Sequence, residues 1–127
     1  MSDAITAANA ANAINTISID SIEGKLKLAN AINASVSLND HIDEYFTLTD
    51  IVMVPGVRAI NDTACMNTYL CTSDGEVFFS QSDGIARSAR FFAEIFNGDF
   101  GDGIVVKCVS EKLAGGRTLK KLVAKVD

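Results

Sequence analysis

Tryptophan is absent, histidine occurs once (His41), and no apolar run approaches the roughly 20 residues that span a bilayer. The start, "MSDAITAANAANAIN", lacks the basic region and apolar stretch of a secretory signal, so a cytoplasmic protein is expected, with no membrane partner. Cys65, Cys71 and Cys108 are odd in number and show no CxxC spacing, which argues against a disulfide framework or a zinc site. A nucleophilic cysteine needs a base, and the one histidine lies in a polar "NDHIDE" turn, read as solvated. "DFGDG" at 99–103 does not follow the order of a calcium loop, and no Walker-type phosphate loop occurs. These gaps point away from an enzyme and from any metal or cofactor.

What is present is an ordinary globular composition, 48% hydrophobic and 21% charged, in 127 residues. One domain is expected over 16–127, preceded by an Ala/Asn-rich N-terminal arm at 1–15. The arm is a candidate for self-association. The net charge of −5 is unevenly spread. Residues 1–100 hold 5 Lys/Arg against 13 Asp/Glu, whereas residues 101–127 hold 6 against 3. An acidic chain therefore ends in a basic stretch, which reads either as lysine protection of a sheet edge or as an anion-binding strip.

Hydrophobic periodicity orders the chain. "TISIDSIEGKLKLANA" alternates at Ile17, Ile19, Leu26 and Leu28 about Glu23-Gly24, the pattern of strand, turn and strand. "EYFTLTDIVMVPGVR" is a strong strand, ended by Pro55-Gly56. "NTYLCTSDGEVFFSQSDG" at 67–84 reads as a hairpin about Asp74-Gly75. "SDGIARSARFFAEIFNG" predicts a helix within 83–97, capped by Ser82 or Asp83, with Ile85, Ala89, Phe92 and Phe96 inward and Gly98 as its stop. Two strands joined by "AGG" close the chain. The expected fold is all-β with one helix, an OB-fold-like small Greek-key barrel of order β-β-β-α-β-β.

A two-residue loop at Asp74-Gly75 opposes Cys71 with Phe78 and Leu70 with Phe79. Leu70, Thr72, Val77 and Phe79 then share a core face, while Tyr69 and Phe78 become diagonal neighbours on the other. Such an aromatic platform suits base stacking. Tyr45 is a second candidate for stacking, Arg58 either a phosphate contact or a loop cap. Lys107, Lys112, Arg117, Lys120, Lys121 and Lys125 form the basic terminal hairpin that would track phosphates.

Three stretches, "DSIEGKLKLANA" at 20–31, "NTYLCTSDGEVFFS" at 67–80 and "IVVKCVSEKLAGGRTLKKLVAKV" at 104–126, resemble the single-stranded DNA-binding proteins of Salasvirus-type phages. Those phages replicate linear genomes by protein priming. The resemblance implies a non-enzymatic coat on single-stranded DNA displaced during replication, with little sequence preference and with replication proteins as further partners. The competing class is a phage-encoded interaction barrel that inhibits or regulates a host protein.

Overall fold

The computed structural model describes residues 13–126. Its elements, in chain order, are β1 (Ile14–Asn15), α1 (Ile22–Asn33), β2 (Val36–Ser37), β3 (Tyr45–Val57), β4 (Ala64–Thr72), β5 (Val77–Ser80), α2 (Asp83–Ile95), β6 (Ile104–Lys112) and β7 (Thr118–Ala124). Short 3-10 turns follow β2 at Leu38–His41 and β6 at Ala114–Gly116. The strands form one mixed sheet of order β2-β5-β4-β3-β6-β7, with β1 added to β3. It curls into a half-barrel, compatible with a small barrel. No helix among the described residues is long and apolar enough to cross a membrane.

The long strand β3 organises the rest. Its β-branched and aromatic run favours extended backbone. One edge pairs with β4; the other pairs first with β6, over Tyr45–Leu48, and then with β1 at Val52 and Met53. A register shift against β4 between Leu48 and Asp50 inserts one extra residue. That bulge lets Leu48 and Ile51, three apart, both point into the core, and it bends the strand. Inside the curl lie Leu38, Leu48, Ile51, Leu70, Phe78, Val106, Cys108 and Leu122.

The helix α2 fills the concavity much as its periodicity predicts. Ser82 caps it, its side chain accepting from the Ile85 amide, and Ile85 and Ala89 are fully buried. Gly84 allows close approach to β7, since a Cβ there would lie 2.1 Å from the Lys120 carbonyl oxygen. The approach has a purpose: the Leu122 amide of β7 donates to Ser88 Oγ at 3.2 Å, satisfying a polar group at the sheet edge. Lys120 Nζ donates to the Asn39 side chain, linking β7 to the turn after β2.

Four expectations are corrected. The segment around Glu23-Gly24 is a helix, not a strand-turn-strand, so the fold has two helices. Ser21 caps it by accepting from the Gly24 amide at 3.1 Å, and the Leu/Lys/Ala composition favours helix. Leu26 and Leu28, read as strand alternation, are an exposed residue and a half-buried one; the packed positions are Leu28 and Ala31, one helical turn apart. Gly24 is a contact glycine rather than a turn, because a Cβ would fall 1.8 Å from the Ser18 carbonyl oxygen.

Second, β3 does not end at Pro55-Gly56 but pairs with β4 through Val57. Third, the hairpin is one residue out of the expected register: Cys71 opposes Val77, Leu70 opposes Phe78 and Tyr69 opposes Phe79. The loop is Ser73-Asp74-Gly75, three residues long, with Gly75 at φ 89°. Asp74 Oδ1 accepts from the Thr72 hydroxyl and the Glu76 amide, and the Thr72 amide bonds to the Glu76 carbonyl. A turn closed by a left-handed glycine is the three-residue alternative to the two-residue hairpin. Fourth, His41 is half-buried, its ring 4.7 Å from that of Phe78 and Nδ1 3.3 Å from Glu44.

Of the N-terminal arm, Ile14 and Asn15 form β1 and belong to the sheet; residues 1–12, and the self-association expected of them, lie outside the described residues.

A smaller cluster occupies the opposite face of β3, β4 and β5: Ile17, Ala31, Val52, Tyr69 and Cys71, with Leu28, Val77 and Phe79 against it. Burial, with Asp50 adding and Lys27 opposing, pushes the Cys71 thiol from 9.0 up to about 11. The thiol thus ionises at 9.0 once unfolded and at about 11 in the fold, so stability should fall as pH climbs through that window. Iodoacetamide at about pH 8 should alkylate the half-buried Cys65 in the folded protein and leave buried Cys71 and Cys108 intact until denaturant is added. Peptide mass mapping reads this directly; early labelling of Cys71 would contradict the packing.

Candidate nucleic-acid interface

The sheet's pairing carries three of the candidate residues to one place. Tyr45 opposes Lys107, and Lys107 opposes Val123. One rung along, the Lys125 amide bonds to the Val105 carbonyl at 2.8 Å. Paired residues project to the same side, so Tyr45, Lys107 and Lys125 share the face opposite Val106 and Cys108. Tyr45 is 51% exposed. Lys107 Nζ lies 4.8 Å and Lys125 Nζ 5.5 Å from its ring centroid. Among the described residues neither ammonium has a carboxylate partner.

Cation–π contacts at exposed sites are worth about 0.5–1 kcal/mol, less than the about 1–3 kcal/mol of a base stacked on an aromatic ring. Flexible lysine stems can therefore swing from the ring to phosphates while a base takes their place. Thr47, Val105, Val109 and Val123 extend this face with small, flat side chains. Lys121 stands on the same side, opposite Val109, but holds Glu111 at 2.9 Å. On the other flank of Tyr45, a groove of about 370 Å³ runs past Glu44, Asp74 and Glu76. Those carboxylates would repel a phosphate chain and confine its path to the β6–β7 side.

The remaining candidates disperse. Lys112 and Arg117 are exposed at the β6–β7 tip, beyond the aromatic site. Lys120 points the other way and is engaged by Asn39. Arg58 is a loop clamp: its guanidinium donates to the Gln81 carbonyl at 3.0 Å and to Asp83 at 2.9 Å, with weaker bonds to Thr63 and Ala64. Tyr69 and Phe78 do not form the expected platform. Phe78 enters the main core beside Phe46, ring centroids 4.9 Å apart, while Tyr69 lies in the smaller cluster, paired with Phe79. The one-residue slip sends them to opposite faces.

Two features escaped sequence reasoning. One is the Tyr69–Phe79 pair, with ring centroids 5.2 Å apart. The other is a groove of about 450 Å³ between α1 and the β4–β5 hairpin, lined by Leu26, Ala31, Ala34, Cys71 and Val77 among others. The expected two-residue loop at Asp74-Gly75 hid the first, and reading "TISIDSIEGKLKLANA" as strand, turn and strand hid the second. No protein-family model, no curated protein and no solved structure matches the chain.

Proposed function

We propose that this chain is a non-enzymatic single-stranded DNA-binding protein that holds its ligand by stacking on Tyr45 and by ion pairing to Lys107 and Lys125, without metal or nucleotide. The observation that carries this reading is the exposed tyrosine flanked by two ammonium groups that have no carboxylate partner among the described residues. The topology is compatible with it: β3, β4 and β5 form a meander, α2 follows, and β6 returns to β3 before β7, as a small OB-like barrel would require. In such folds the loop joining the last two strands contacts oligonucleotides, and here that loop is flanked by Lys112 and Arg117. A coating role on strands displaced in phage replication rests on the sequence resemblance alone.

Fluorescence anisotropy with labelled oligo-dT tests the proposal. Binding should weaken steeply between about 50 and 200 mM salt. Tyr45→Ala should cost about 1–3 kcal/mol of affinity at little cost in stability. Lys107→Ala should flatten the salt slope by about 0.7. No binding at low salt by protein with a folded circular dichroism spectrum would end the reading.

The interaction-barrel alternative has its own observation: Phe91 and Ile95, i and i+4 on α2, are both more than half exposed. It would gain if Tyr45→Ala left every nucleic-acid measurement unchanged.

A further inference from the structure

We infer that α1 is a displaceable cover over a second single-strand-binding surface, the outer face of β4 and β5, where Tyr69 and Phe79 form the stacking pair. This inference rests on the single-strand-binding reading above.

Tyr69 stands directly opposite Phe79, their rings tilted at 42° on the side away from Leu70 and Phe78. Cys71 and Val77 extend the same surface, giving a strip without charge along the two strands. Counting from β3, these are the second and third strands of the barrel order, whose outer face takes oligonucleotides in OB-folds. The Tyr69 ring is 6% exposed and so is covered in this structure.

What packs it is loosely attached. Of the twelve residues of α1 only Ala31 is buried, whereas Ile22 and Leu26 are 75% and 58% exposed. The helix α2 by contrast buries Gly84, Ile85, Ala89 and Ala93. The groove of about 450 Å³ beneath α1 shows that the helix does not fill the space against the hairpin. Among the described residues its polar side-chain anchor to the sheet is the ion pair of Lys27 Nζ with Asp50 Oδ2 at 2.7 Å, with Lys27 half exposed. A helix of this length is marginal by itself, and segments with few buried apolar contacts open first. When α1 lifts, Asp50 keeps the Thr16 hydroxyl as a partner at 2.8 Å, so no buried carboxylate is orphaned.

Hydrogen exchange on the full chain, with and without oligo-dT at low salt, tests this, together with the affinity of Lys27→Ala. With DNA bound, amides of 22–33 should exchange faster while those of 67–80 slow. Lys27→Ala should bind DNA about two- to fivefold more tightly, because opening no longer breaks the ion pair. The sign is the discriminator: a lysine that contacts phosphate would make the variant bind more weakly. Unchanged or slower exchange in 22–33, or weaker binding by Lys27→Ala, overturns the cover while leaving DNA binding at Tyr45 intact. Absence of any binding overturns both.

Discussion

Phe78→Ala is expected to lower the urea midpoint sharply, with a stability loss of about 3–5 kcal/mol. Phe78 is 5% exposed, opposes Leu70 in the sheet, and packs its ring against Phe46 and His41. Truncation leaves a cavity among residues that cannot collapse, because Leu48, Leu70 and Val106 are held by strand pairing. Small domains are stable by about 5–15 kcal/mol, so one such change removes a large fraction of the margin. Phe79→Ala, at a half-buried position on the other face, should cost distinctly less. Equal midpoints for the two variants would mean that the hairpin register described here is wrong.

Gly84→Ala should destabilise the protein by about 1–3 kcal/mol, against the sign that helix propensity alone would give. Alanine normally stabilises a helix relative to glycine, by up to about 1 kcal/mol. Here the added methyl would sit 2.1 Å from the Lys120 carbonyl oxygen and 2.9 Å from Leu119 Cδ1. Backbone cannot yield as a side-chain tip can, so α2 must move away from β7. That motion stretches the bond from the Leu122 amide to Ser88. Thermal melting gives the sign, and faster exchange at the Leu122 amide gives the cause. A raised melting temperature would show that α2 does not press on β7 as described.

Much of this was legible in the sequence, and what was not has physical reasons. The helix α2 announces itself because Ile85 and Ala89 recur at helical spacing between a serine cap and a glycine stop. The helix α1 does not, because it buries so little: with Ile22 and Leu26 outward, its apolar residues do not mark the packed face, and chance alternation resembles a strand. The hairpin's location followed from Asp74-Gly75, but its register depended on whether Ser73 joined the loop. That choice is made by Asp74 accepting the Thr72 hydroxyl and the Glu76 amide. One residue of error exchanged Phe78 and Phe79. Tyr45, Lys107 and Lys125 were each candidates, yet their meeting depends on pairing across some sixty residues, which no local pattern encodes.

The strands on either side of α1 set the character of any opening. Asn15 is fixed to β3 by β1, and Val36 is fixed to β5 by β2. The helix is therefore a strap held at both ends, able to unwind in place but not to depart. Under the proposed reading it is an internal competitor whose local concentration is set by two short tethers rather than by the amount of protein. Closure would then be a first-order event: once a bound strand left, the aromatic pair would be covered again at a rate that dilution cannot slow.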